Sequence, residues 1–197
     1  MIIGLTGKNA AGKGEAANYL KSKGFFYYSL SDVIREEATK MGLDHSRDNL
    51  IKLGNELRQN FAPNYLAQQI NLKISNYKKI FPQKNFFVVD SIRSPFEAKE
   101  LMNNKNFTLV GIDAPIETRF KRLLERNRIG DAKTLDDFKQ QEERENLKSD
   151  TNQQLDETFK MSEEIIRNDG TLEQLHIKID DLLNQLERKS KREISRN

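Results

Sequence analysis

The sequence contains no cysteine, which removes disulfide frameworks and thiolate metal centres together. Histidine is nearly as scarce. His45 and His176 stand alone and far apart, which argues against histidine-rich metal chemistry. No run approaches the roughly 18 apolar residues of a membrane span. The start MIIGLTG also lacks the basic and apolar regions of a secretory leader. One-sided charge is missing as well: charged residues make up 32%, yet the net charge is only +3, so no strong field points at nucleic acid or membrane. These absences predict a cytoplasmic protein with neither a membrane nor a nucleic-acid partner. Its 197 residues suit a single domain with a full core.

What is present starts at Gly7-Lys8-Asn9-Ala10-Ala11-Gly12-Lys13-Gly14, directly after an apolar run. The spacing is G-x-x-x-x-G-K, in which glycines let the backbone point its N–H groups at phosphate and the lysine adds a mobile cation. Gly14 replaces the usual Ser or Thr that touches Mg²⁺, which separates the chain from GTPases and most ATP-driven motors. The context is right. Met1 to Thr6 reads as a buried strand, and Gly14 to Lys21 reads as a helix that Gly24 ends.

Four further segments read as short buried strands: Phe25 to Tyr28, Phe86 to Asp90, Thr108 to Asp113 and Glu164 to Arg167. Helical patterns lie between them, at Asp32 to Met41, Leu50 to Phe61, Asn64 to Ile80, Pro95 to Met102 and Ile116 to Glu125. A last one runs from Leu172 to Leu186. The alternation predicts an α/β fold, a three-layer arrangement around a parallel five-stranded sheet. Two stretches break the rhythm and read as insertions that close over a ligand, at about 31–80 and about 126–151. The expected domain spans 1–187. A basic tail follows at 188–197, with Arg188, Lys189, Lys191, Arg192 and Arg196, and reads best as a solvated helix end.

Several constellations carry chemistry. After the second strand, Ser31 can cap a helix with Asp32 in its first turn, while Arg35 on the same side can hold an acceptor phosphate. Asp90 ends a strand where phosphoryl-transfer enzymes hold Mg²⁺ through water, and Arg93 enters the same crevice. Asp90 can alternatively serve a following helix as an N-terminal anion. Arg119, Arg122, Arg126 and Arg128, with Arg144 further on, are either transition-state cations on a closing lobe or a solvated face. Arg167-Asn168-Asp169-Gly170-Thr171 is a turn in which Asp169 or Thr171 can cap the last helix, or a loop offering backbone to a nucleotide base.

Taken together, these motifs resemble the nucleoside monophosphate kinase superfamily of P-loop phosphotransferases. GKNAAGKGE looks like its G-x-x-G-x-G-K-G loop, Ser29 to Arg35 like its S-x-G-D-x-x-R stretch, and Asp90 to Arg93 like a shortened D-G-x-P-R. The dephospho-CoA-kinase-related branch is closer still, sharing D-x-I-R-x-x-x-E, A-P-x-E-T-R-F and N-D-G-T-L-E. The resemblance implies a P-loop NTP hydrolase fold with a helical acceptor-binding insertion and a lid. It implies ATP and Mg²⁺ as cofactors, a small-molecule phosphate acceptor as partner, and a monomer or homodimer. ATP then falls to Gly7, Lys8, Asn9, Ala10, Ala11, Gly12, Lys13, Gly14 and Glu15, with Asp169 and Gly170 at the adenine. Catalysis falls to Lys13, Asp90, Arg122, Arg126 and Arg128, with Asp90 organising the metal through water. The acceptor falls to Ser31, Asp32, Arg35, Arg58 and Arg93. A (deoxy)nucleoside monophosphate is the leading acceptor. Dephospho-CoA, and a slowly hydrolysing ATP switch using its basic tail for RNA, are the rivals.

Overall fold

The computed structural model describes residues 1–127, 131–145 and 154–194. Among them, five parallel strands form one sheet: β1 (Ile2–Thr6), β2 (Phe26–Ser29), β3 (Phe87–Asp90), β4 (Phe107–Asp113) and β5 (Glu164–Arg167), in the order β2-β3-β1-β4-β5. Strand polarity and alternation follow the sequence pattern. Ile3, Leu5, Val88, Val110 and Ile112 point to one face, while Ile2, Phe87, Val89, Phe107 and Leu109 point to the other. Both faces are covered, which is why the strands read as continuous apolar runs.

The first face packs α1 (Lys13–Ser22) and α9 (Leu172–Ile194) through Ala16, Ala17, Leu20, Leu175, Ile179, Leu182 and Leu186. The second face carries α2 (Leu30–Lys40), α3 (Arg47–Asn60), α4 (Tyr65–Ile80) and α5 (Pro95–Met102). Leu30, Val33, Leu66, Ile70 and Ile74 join that core, so the 31–80 insertion is a layer of the domain, built onto the sheet. α6 (Ile116–Arg126), α7 (Leu135–Glu145) and α8 (Leu155–Lys160) complete the elements.

The expected strands and helices agree with the structure to within a few residues, with two omissions. α7 and α8 lie in and just past a stretch read as a polar break. α7 is held by one buried ring, Phe138, which packs with Leu123 and Ala132 in a small separate core. With Leu135 its one other apolar residue amid acids and amides, the periodic signal is too weak to read as a helix. α9 also runs beyond residue 187, so the basic tail continues the helix as far as Ile194. Residues 195–197 lie outside the described residues, as do Arg128 and 146–151 of the expected lid. Among the described residues, no helix is long and apolar enough to cross a membrane.

Candidate active site

β1 sits at the point where the sheet's connections diverge, with β3 on one side and β4 on the other. Ligands of open α/β sheets bind outside the carboxyl ends of strands at such a point. The 7–13 loop leaves β1 there. Gly7 has φ +137°, and a Cβ on it would lie 2.2 Å from the Ile112 carbonyl oxygen. Gly12 has φ +106°, and a Cβ there would lie 2.1 Å from Nδ2 of Asn168. Both positions therefore demand glycine on two counts, conformation and contact. Ala10 adopts the same left-handed region at φ 59°, where the resembling families place a third glycine.

Lys13 closes the loop on itself. Its Nζ donates to the carbonyls of Gly7 and Lys8 at 2.6 and 3.0 Å. Burial pushes its ammonium pKa down to about 8; Arg93, Arg119 and Arg126 press in the same direction, and Asp90 opposes them. The N-cap of α1, Gly12, supplies no side chain to the first-turn amides, which leaves that helix end open to an anion.

Asn168, missing from the expected site, locks this loop from the far side. Its Nδ2 donates to the Ala11 carbonyl at 2.8 Å, and its amide donates to the Asp113 carbonyl at 2.6 Å. Its Oδ1 accepts a long bond, 3.4 Å, from Nη2 of Arg122. The other guanidinium nitrogen of Arg122, Nη1, is buried without a partner among the described residues. An orphaned cationic donor beside a phosphate-shaped loop fits a phosphate oxygen. In the sequence, Asn168 shows itself only as a turn residue after a strand.

The neighbouring arginines have different employments. Arg119 is buried, forms an ion pair with Glu142, and donates to the carbonyls of Ala114 and Asn9 at 3.0 and 3.3 Å. It thereby ties α6, α7 and the phosphate loop together. Arg126 makes a two-pronged pair with Asp131, both contacts at 2.8 Å, and Arg47 of α3 approaches the same carboxylate at 3.9 Å.

At the end of β3, Asp90 accepts the Ser91 amide at 2.6 Å, with Ser91 itself at φ 66°. Ser94, not Asp90, caps α5. Ser31 is not a helix cap either: α2 begins at Leu30, one residue earlier than Ser31. Its hydroxyl instead lies 2.8 Å from that of Ser29 and, with Asp32 Oδ1, receives Nη1 of Arg35 at 2.9 Å. Arg58 is buried, and its Nε and Nη2 are taken up by Glu97.

Beside Asn9 these groups border one cavity of about 280 Å³, walled by Ser31, Arg35, Arg58, Arg93 and Arg126, with Ile34 and Leu50 on its apolar side. The remaining expected residues lie elsewhere. Lys8 pairs with Asp156 at 3.2 Å. Gly14 and Glu15 are exposed on the first turn of α1. Asp169 pairs with Arg167 and Lys178 at 3.0 and 3.4 Å, and Gly170 is exposed next to it. Thr171 and Gln174, not Asp169, cap α9 reciprocally.

Residues 3–148 match the AAA domain family. The chain belongs to that family. It is also similar to a UPF0200 protein of Pyrococcus abyssi, at 30% identity over 94% of this chain and 97% of that one. Among solved structures, a Thermus thermophilus protein superposes with a TM-score of 0.62 at 19% identity, covering 94% and 97% of the two chains. The shikimate kinase of Aquifex aeolicus and the dephospho-CoA kinase of Campylobacter jejuni each superpose with a TM-score of 0.53 at 17% identity. Each covers 96% of this chain and 98% of its own. The fold is that of P-loop kinases.

Proposed function

We propose that this protein moves the γ-phosphoryl group of Mg·ATP to a small phosphorylated acceptor, with a (deoxy)nucleoside monophosphate as the leading candidate. The observation that carries the reading is the arginine-lined cavity beside Asn9, adjoining the loop that Lys13 closes. A nucleotide switch has no need of a second anion pocket there.

When bound, ATP supplies a transferable phosphoryl group whose charge spreads over its equatorial oxygens. The 7–14 loop and the open first turn of α1 hold its phosphates, and Lys13 leaves the carbonyls of Gly7 and Lys8 for them. Arg122 offers its unpartnered Nη1, while Arg126 and Arg128 are the further lid cations. Asp169 and Gly170 border the adenine. Among the described residues, no three His, Cys, Asp or Glu side chains group to hold a metal alone. Magnesium would therefore depend on phosphate oxygens, water and Asp90. Arg35 and Arg93 hold the acceptor, with Ser31 and Asp32 orienting Arg35. An acceptor phosphate is already ionised at neutral pH, so it needs no general base.

A phosphate-transfer screen with Mg·ATP tests this, using the ribo- and deoxynucleoside monophosphates and dephospho-CoA, with Lys13→Ala as control. ADP formed with one monophosphate and abolished in Lys13→Ala is the expected result. Turnover confined to dephospho-CoA would move the chemistry to a hydroxyl, with Asp32 or Asp90 as candidate base. ATP loss indifferent to every acceptor would overturn the proposal in favour of a switch.

A further inference from the structure

The basic tail is left unused by any reading of the active site, and the fold places it at the opposite end of the sheet. All strands are parallel, so the helices that return between them gather their C-termini at the strands' starting ends. The last turns gathered there are basic: Lys21 in α1, Lys78 and Lys79 in α4, Lys99 in α5, and Lys191 and Arg192 in α9. Exposed Lys84 and Lys105 stand in the loops between them. The apolar seam of α9 stops at Leu186, yet the helix continues through exposed Arg188, Lys189, Lys191 and Arg192.

Beside the middle of α9, one to two turns before its basic stretch, lies a notch of about 410 Å³, lined by Met1, Phe25, Phe86 and Leu183 and rimmed by Lys23, Asp180 and Glu187. The rings of Phe25 and Phe86 lie 5.4 Å apart at 53° to one another, and Phe86 is 47% exposed. Exposed Ile80 and Phe81, where α4 ends, precede Phe86 by a few residues. Asp180 is already occupied by Lys23 at 2.9 Å and by the Tyr19 hydroxyl at 2.7 Å, which leaves Glu187 as the second acid on the rim.

From this juxtaposition we propose that the face opposite the phosphate loop binds single-stranded nucleic acid. An unpaired base enters the Phe25–Phe86 notch, and the flanking phosphates lie along Lys84 and the Arg188–Arg192 turn. Stacking on an aromatic ring combined with a track of cations is the means by which proteins hold single strands without reading sequence. Single strands are favoured, because a paired base would first have to be unpaired and unstacked to enter the notch. A membrane surface fits less well, since the notch is a recess; an acidic protein would leave the exposed ring of Phe86 without a stacking partner.

The test is fluorescence anisotropy of labelled oligouridine, and of a duplex of the same length, with the full chain across a range of salt. The tail variant R188Q/K189Q/K191Q/R192Q changes only exposed side chains. It is expected to bind more than tenfold more weakly, with a salt slope shallower by about 0.7 for each phosphate that it no longer neutralises. Phe86→Ala is expected to bind about tenfold more weakly with its salt slope unchanged. Lys13→Ala and saturating Mg·ATP should leave binding as it was, because the phosphate loop lies at the other end of the sheet. Thermal melts of each variant separate weakened binding from failure to fold. Variant affinities equal to wild type, competition by ATP, duplex bound as well as single strand, or binding only to phosphatidylserine vesicles would each overturn the proposal.

Discussion

Arg58 of α3 and Glu97 of α5 form a buried ion pair, with Nε and Nη2 of the arginine 3.0 and 2.7 Å from one carboxylate oxygen. The second oxygen accepts the amide of Arg93 at 2.9 Å, so the pair fixes the loop that carries Asp90 and Arg93 to the acceptor-side helix. Removing one charge strands the other away from water. Glu97→Ala is therefore expected to lose about 3–5 kcal/mol in urea unfolding. The double variant Arg58→Met/Glu97→Leu should lose clearly less than the two single losses together. Strict additivity would show that the two residues do not act as a unit.

Lys13 makes a pH prediction whose sign follows from its depressed pKa. The ammonium titrates near 8 in the folded state, against 10.5 when unperturbed. Between those values the unfolded chain holds a proton that the folded chain has released, so stability rises with pH across that window and is flat below it. The full gain is at most on the order of 3 kcal/mol, and smaller where water reaches the half-buried side chain. The measurement is the difference in unfolding free energy between wild type and Lys13→Met from pH 7 to 10.5. Tyr27 and Tyr28, whose pKa values burial raises, act in the opposite sense at the alkaline end and cancel in that difference.

Ala10 holds a left-handed backbone at φ 59° that an L-residue other than glycine adopts at a penalty of about 1–2 kcal/mol. Ala10→Gly relieves that penalty but gives the unfolded chain about 0.4–1 kcal/mol of extra entropy. The expected net effect is neutral to about 1 kcal/mol stabilising. Ala11 is fully buried and is absent from the positive-φ residues, so Ala11→Gly should be plainly destabilising. Paired thermal melts of the two variants decide the matter, and equal losses would contradict it.

Much of this architecture is legible in the sequence, for a physical reason. β1, β3 and β4 are covered on both faces, so most of their residues are apolar, and the phosphate loop requires glycine at fixed offsets. Arg35 beside Asp32 follows directly from helical spacing. What stays hidden depends on contacts between distant segments. Both Arg58 and Arg93 border the cavity, and nothing local shows that the guanidinium of Arg58 is committed to Glu97. Asn168 gains its meaning only because β5 returns next to Ala11. The helix α7 escapes notice because Phe138 is its one fully buried side chain among the described residues, and because Arg119 meets Glu142 through the fold and not through sequence spacing.

Gly14 is the position where this chain departs from most phosphate loops, and the structure makes that departure testable. It occupies the first turn of α1, and apart from its chain neighbours and the helix's own backbone no atom lies within 4 Å of where its Cβ would be. Neither contact nor conformation requires glycine there, in contrast to Gly7 and Gly12. Gly14→Ser should fold normally and gain about 0.5 kcal/mol from the better helix propensity of serine. The hydroxyl also stands where other phosphate loops touch Mg²⁺. If Asp90 and water now hold the ion with one protein ligand fewer, Gly14→Ser should lower the magnesium concentration needed for half-maximal ATP binding by calorimetry. It should also partly restore the binding that Asp90→Asn weakens. An unchanged magnesium requirement in Gly14→Ser, together with full ATP binding by Asp90→Asn, would remove Asp90 from the metal's surroundings.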